Sequence, residues 1–352
     1  MALLTTTVGA YPKPDFVKLP DWFDADGGGP DSTDPTASWA AALEALGPDA
    51  EDIIARGVRQ AVEDQVQAGI DIPTDGEISR ENYIHYHCRH LEGIDFGTLT
   101  EKVLRNGAYA AKLPTITGPI RPRGHFLVHD LRIAQSATNK HVKITMPGPM
   151  TIGDTTADAY YEDPVKRGEA LADALNYEVK ALAVAGCKHI QIDEPLFARK
   201  PGEALDFGVE HIERAFHGCP ASATRIMHMC CGYPYRLDNP DYPKADHDAY
   251  VKLADAVEAS SIQAVSLEDA HRYNDLRLLE TFRTTTVIFG CIAIAKSRIE
   301  PIEEIRGRLL SALEHIDTDR LIASPDCGLG LLGRDLARAK LRNLCEAARS
   351  VG

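Results

Sequence analysis

Acidic residues outnumber basic ones by 52 to 38 in this chain of 352 residues. The resulting formal net charge of -14 argues against nucleic acid or an anionic membrane as partner, since both recruit excess Lys and Arg. Hydrophobic residues make up 44% and charged ones 26%, which excludes a disordered chain and provides for a sizeable core.

No apolar run has the length needed to cross a bilayer, and Met1 to Ala10 lacks the basic start and apolar core of a secretion signal. The expectation is a cytoplasmic protein acting on small molecules, with homo-oligomerisation left open. In that reducing setting the eight cysteines are free, metal-bound or catalytic rather than paired.

Short β-branched or apolar runs that end in polar or Gly/Pro residues recur along the chain. They begin near Leu4 (LLTTTVG), Ile70 (IDIPTDGE), Val142 (VKITMPGP) and His189 (HIQIDEP). Four more begin near Arg225 (RIMHMCCG), Gln263 (QAVSLED), Thr286 (TVIFGCIAI) and Leu321 (LIASPDCG). Between them, Glu51 to Ala68, Pro164 to Ala185 and Pro301 to His315 carry apolar residues at helical spacing, with Asp163 and Pro164 as a cap and first-turn proline. Eight such units predict an α/β protein, a single (β/α)8 TIM barrel spanning residues 1–352 as one domain. The Asp-, Gly- and Pro-rich stretch Pro20 to Ser38 reads as a long loop after the first strand. Tyr83 to Ile133 is longer than one helix and reads as insertions over the barrel mouth.

In such barrels chemistry sits at the carboxyl ends of the strands, and polar clusters fall there: Asp75 and Glu77, Asp193 and Glu194, His228 and Cys230, Glu268 and Asp269, Asp326 and Cys327. Side chains alternate along a strand, so His228 and Cys230 share a face while Cys231 points away. An HxC pair alone is weak evidence. Cys327 and Glu268 at the same end complete a set of nitrogen, sulfur and oxygen donors suited to tetrahedral Zn2+, with Glu268 the least secure ligand. Zinc deprotonates a bound thiol, and a barrel of this size has no need of a metal to fold.

At these residues the chain resembles the cobalamin-independent methionine synthase family, in its C-terminal catalytic barrel. The likeness runs in order through TTTVGAYP (Thr5 to Pro12), DGE (Asp75 to Glu77), Gly148 and Pro149, QIDEP (Gln191 to Pro195), HMC (His228 to Cys230), SLED (Ser266 to Asp269) and PDCGL (Pro325 to Leu329). It covers nearly the whole chain without the long N-terminal barrel of the full-length enzymes, as in the short, core-type members. The resemblance implies zinc at His228, Cys230, Glu268 and Cys327. It also implies that Glu77 and Asp193 bind the amino group of a homocysteine-like substrate, with Val8 and Ala10 of the first-strand motif beside it. No catalytic residue beyond the zinc site is implied.

Two departures bear on the substrates. Where the family has a Ser that helps hold the substrate carboxylate, this chain has Ala10. Where it has a His that assists protonation of the departing folate, the nearest residues are Ala293, Ala295 and Lys296. No aromatic folate platform follows Pro149, where Thr151 to Tyr161 reads TIGDTTADAYY.

The expected activity is therefore a zinc-dependent thiol S-methyltransferase, moving a methyl group from a folate, corrinoid or other donor to homocysteine or a close analogue. One alternative is a lyase-type enzyme resembling epoxyalkane–coenzyme M transferase, with Lys13, Arg80 or Lys296 taking the sulfonate. Another is a non-catalytic metal- or corrinoid-binding barrel that partners a second enzyme.

Overall fold

Seven strands form one parallel sheet in a computed structural model that describes residues 2–23, 34–104, 109–234, 236–239 and 242–351. These are β1 (Leu4–Thr5), β4 (Lys143–Pro147), β6 (His189–Asp193), β7 (Thr224–Met229), β8 (Ala264–Leu267), β9 (Thr286–Ile292) and β10 (Leu321–Pro325), in the order β1-β10-β9-β8-β7-β6-β4. Three further strands, β2 (Leu91–Leu104), β3 (Tyr109–Pro122) and β5 (Ala157–Asp158), make a separate sheet.

The run expected as a strand from Ile70 is reduced to two parallel bridges, Thr6 with Ile72 and Thr74 with Lys143. Its position between β1 and β4 is the one a second stave would occupy. Pro73 has no N–H to give a ladder. The Gln65 side chain takes the Thr74 N–H at 2.9 Å and donates to the Thr74 carbonyl at 3.0 Å, doing for this segment what a neighbouring strand would.

The helices follow the sequence signals. Ala50–Ala68 has Glu51 and Asp52 in its first turn and ends on Gly69 at φ 109°, a conformation glycine adopts without cost. Pro164–Val184 is capped by Asp163, which accepts from Val165 N and Lys166 N. Ile302–Ala312 lies within the third expected helix.

One expectation is corrected and a second is given its structure. Asp34–Leu46 is a helix, so Pro20 to Ser38 is not loop throughout, and residues 24–33 lie outside the described residues. Tyr83 to Ile133 holds the short helix Tyr83–Arg89, capped by Asn82, then the antiparallel pair β2 and β3, and most of helix Leu127–Gln135. Register shifts between Glu92 and Ile94 and between Asp95 and Thr100 break the alternation that would have announced strands here.

Most of the buried apolar side chains join one cluster that runs from Leu3 to Ala348 and fills the space between sheet and helices. On the concave side, Ile226, Ala264 and Ile288 form a small plug with Ile322. Alternation carries β7 from Ile226 to His228 and β8 from Ala264 to Ser266, so the same face turns polar toward the strand ends. On β10 alternation from Ile322 through Ser324 would aim Asp326 inward. A register shift between Ser324 and Pro325 re-aims the chain, and Cys327 faces the site instead.

Candidate functional site

At the carboxyl ends of β6, β7 and β10 lies a cavity of about 130 Å³, lined among others by Glu77, Asp193, His228, Cys230 and Cys327. Ring residues Trp22, Phe23, Tyr83 and Tyr233, and Ala111 and Leu113 of β3, enclose it.

His228 is held by a 2.9 Å contact between Nδ1 and the Ser266 hydroxyl, which leaves Nε2 facing Cys327 Sγ at 3.4 Å. Cys327 Sγ is 3.7 Å from Cys230 Sγ. The three donor atoms lie within 4.8 Å of one another. Burial, reinforced by Lys143, lowers His228 to about 3, so its imidazole is neutral and its lone pair available. The neighbouring Cys327 thiol and burial push Cys230 well above its ordinary value. Cys327 is drawn down by Cys230, yet burial prevails and it too is raised. Two thiols this close need a cation before both can lose their protons.

Glu268 falls outside that group of three and shares a second one with His271 and Asp326. Its Oε1 accepts the Cys231 N–H at 2.9 Å, and its buried Oε2 has no hydrogen bond. Burial and the nearby Cys230 thiol push the carboxyl well above the usual range. With no hydrogen bond, and with the Lys244 ammonium at 3.8 Å, this buried oxygen beside a metal-suited triad is suited to serve as a fourth donor.

The second group is a buttress rather than a metal site. His271 Nδ1 is 2.6 Å from Asp326 Oδ2, and its Nε2 accepts the Ala295 N–H at 3.0 Å, so both ring nitrogens are used. Asp326 also accepts from the N–H groups of Asp269, Ala270 and His271, and Arg308 clamps Asp269. These contacts tie the loop after β8 to the turn that carries Cys327.

Across the cavity, Glu77 Oε1 accepts from Thr145 Oγ1 at 2.6 Å and lies 3.4 Å from Arg80, while Gln191 Nε2 donates to Asp193 Oδ1 at 2.7 Å and to the Val8 carbonyl at 2.9 Å. Glu77 sits at φ 57°, an uncommon conformation for a side-chain-bearing residue. A Cβ at Gly9 would fall 2.5 Å from its carboxylate. Burial raises both carboxyls, Asp193 strongly, and Glu77 adds to that rise. Beneath them Lys143 is fully buried, its ammonium without a hydrogen bond and lowered by burial to about 7.

Val8 and Ala10 both line the cavity. Ala10 contributes a methyl there, and its carbonyl accepts the Leu329 N–H at 2.7 Å, fixing the turn after Cys327. Of the cations considered for a sulfonate, Lys13 pairs with Asp21 at 2.6 Å and Arg80 with Asp75 at 3.1 Å, while Lys296 is exposed and lines a separate hollow.

Glu194 faces away and caps helix Pro149–Asp154, accepting from Met150 N at 2.8 Å and from Thr151 N and Oγ1. A Cβ at Gly148 would lie 2.1 Å from its Oε1. Gly148→Ala is therefore expected to cost about 1–3 kcal/mol, as overpacking in a closed core does, read as a lower thermal midpoint.

Sequence reasoning missed Arg199 and the rings of Trp22, Phe23, Tyr83 and Tyr233. They lie on loops and short helices where no periodicity marks an inward side chain.

A curled parallel sheet with helices, carrying His, Cys and Cys donors at its strand ends, defines an α/β protein with a candidate metal-thiol centre. Residues 37–350 match the family described as cobalamin-independent synthase, catalytic domain. The chain belongs to that family, which is one of methyltransferases. It is 28% identical over 353 residues to a methionine synthase of Saccharolobus solfataricus, covering 99% of this chain and 95% of that one. A B12-independent methionine synthase from Shewanella sp. W3-18-1, solved in complex with selenomethionine, superposes with a TM-score of 0.86 at 31% identity, covering 100% and 98% of the two chains. A putative B12-independent methionine synthase of Listeria monocytogenes shares the fold at TM-score 0.73 and 21% identity. Among the described residues no helix is long and apolar enough to cross a membrane.

Proposed function

We propose that this chain is a zinc-dependent methyltransferase that methylates the thiol of homocysteine or a close analogue. The observation that carries the reading is the meeting, in one cavity, of a His–Cys–Cys donor group with two buried carboxylates. In this reading residues 1–352 form a single (β/α)8 unit, Ile72 to Thr74 serving as the second stave; the bridges on both its sides and the one continuous core support it.

The zinc ligands are His228, Cys230 and Cys327, with Glu268 as the fourth. Zinc bound there supplies the positive charge that lets an incoming thiol shed its proton at neutral pH. Glu77 and Asp193 take the ammonium of the acceptor and so set its sulfur toward the cysteines. Gln191, bonded to both Val8 and Asp193, keeps the first-strand segment and the carboxylate in register. Phe23, Tyr83 and Tyr233 keep bulk water from the nucleophile. In the overall reaction a sulfur–methyl bond forms from the thiolate's electron pair, the donor–methyl bond breaks with its pair staying on the donor, and the thiol proton passes to solvent, from which a folate nitrogen, if that is the leaving group, takes a proton back. The selenomethionine bound by the Shewanella relative is a product-like amino acid and supports this choice of acceptor.

The test is metal analysis of natively purified protein, followed by assay of methionine formation from homocysteine with methyltetrahydrofolate, methylcobalamin and methylsulfonium donors. Near-stoichiometric zinc and methionine with one donor are expected. Absence of zinc, or alkylation of a different thiol only, sinks the reading. Zinc with no thiol-dependent proton release would point to a binding protein without turnover.

A further inference from the structure

The antiparallel pair β2 and β3 is held to the body in two different ways. Its inner half belongs to the core: Leu91, Ile94, Ile116 and Ile120 join the main cluster, and Thr115 and Ile116 pair with Ala157 and Asp158 of β5. A register shift between Asp95 and Thr100 then interrupts the ladder, and beyond it lie residues 100–104 and 109–113. In this outer half Ala111 and Leu113 are buried yet form a cluster of their own, apart from the main core. Both wall the cavity that holds His228, Cys230 and Cys327.

Lys102 stands directly across the ladder from Ala111, and Leu113 follows two residues on, so the three share the face turned to the barrel. Glu101 and Lys112, on the opposite face, are exposed. The Lys102 ammonium crosses to another wall of the cavity: its Nζ donates to the carbonyls of Asp154 at 2.6 Å, Thr156 at 3.0 Å and Gly153 at 3.3 Å. An ammonium has three donors, and each meets a carbonyl at or just past the end of helix Pro149–Asp154, where the helix leaves its last carbonyls unpaired. The Asp154 carboxylate is engaged separately, with Lys200 at 3.3 Å, so Lys102 grips backbone alone. Thr151, Asp154 and Thr155 line the same cavity, which means that Lys102 ties one of its walls to another. Two apolar side chains are a smaller anchor than the four of the inner half, so these charge-assisted bonds decide whether the outer half stays down.

Resting on the methyl-transfer reading above for what lies beneath, we propose that the outer half of this strand pair is the lid of the acceptor cavity and that Lys102 is its latch. Lys102 is thus a positioning residue, which keeps Ala111 and Leu113 closed over the bound amino acid. Entry of the acceptor and departure of the methylated product require the Lys102 contacts to break, and the strand pair bends at the irregularity before Thr100.

The experiment is maleimide labelling of Ala111→Cys in the zinc-loaded protein, read peptide by peptide in a mass spectrometer, with the fully buried Cys88 of the main core as internal control. Labelling at position 111 should be slow, slower still with L-methionine bound, and about tenfold or more faster once Lys102→Met is added. In a protein that keeps Ala111, Lys102→Met should release L-methionine about tenfold faster than wild type in stopped-flow fluorescence, with zinc content and thermal midpoint unchanged. Equal labelling with and without the latch, labelling that bound methionine leaves untouched, or an unchanged release rate overturns the proposal. So does Cys88 reacting in step with position 111, because the whole fold and not a lid would then be opening. If methionine fails to bind while labelling still follows Lys102, the methyl-transfer reading falls and the lid stands.

Discussion

Replacing His228 with alanine, or Cys327 with serine, is expected to strip zinc from the purified protein and abolish methyl transfer while leaving the fold in place. Outer partners of metal ligands alone are worth about 10–100-fold in metal affinity or activity, so loss of a ligand itself should exceed that. The fold should survive because the donors sit at strand ends: His228 is not part of the main core that runs from Leu3 to Ala348, and Cys327, which packs against that core only from its edge, is replaced by a serine of similar size. Metal loss also leaves no stranded charge: burial keeps His228 neutral, and both thiols are raised, so the empty site holds uncharged groups. The contrast is Cys231, whose Sγ lies 2.6 Å from Arg272 and outside the donor group. Cys231→Ser should retain zinc and most activity. Metal analysis, circular dichroism and turnover on the three variants separate the outcomes; unfolding of the first two, with Cys231→Ser intact, would make the metal structural and remove the basis of the mechanism.

What the sequence made legible was whatever obeys a period. Strand starts at His189 and Thr286 coincide with observed ones, and the alternation in His228-Met229-Cys230 placed both donors on one face before any coordinates. What broke a period stayed hidden. The strand from Ile70 dissolved into bridges because Pro73 cannot donate and Gln65 supplies the missing bonds from a helix. The β2 and β3 pair was lost to its register shifts. Cys327 faces the site through an irregularity on β10 that alternation would have forbidden, and its motif rather than its parity pointed to it. Arg199 was invisible for a different reason: a cation in a short helical turn reads as surface, and only the fold shows that it lines the cavity, its Nε buried without a hydrogen bond among the described residues.

The carboxylate that should matter most for the acceptor is Asp193. Asp193→Asn keeps the shape and the amide contact from Gln191 but removes the charge that meets the ammonium. Deleting one side of a buried charge pair costs about 2–4 kcal/mol, so the KM for homocysteine should rise roughly thirty- to a thousandfold with zinc content unchanged. The sign of the pH effect follows from the same carboxyl. In the free protein burial, and then Glu77, holds Asp193 protonated well above the usual carboxylate range. Only the ionised form grips an ammonium, and the ammonium in turn favours ionisation, so binding must expel a proton. Acceptor affinity should therefore strengthen as pH rises through the raised Asp193 value and weaken below it, and this dependence should flatten in Asp193→Asn. Calorimetry in two buffers of different ionisation enthalpy reads the Asp193 proton as the difference between wild type and Asp193→Asn, since the proton shed by the thiol is common to both. Equal proton release by wild type and variant, or an unchanged KM in the variant, would mean that the amino group lies elsewhere and that Glu77 and Asp193 are held together for the protein's own sake, with Arg80 and Lys143 as their partners.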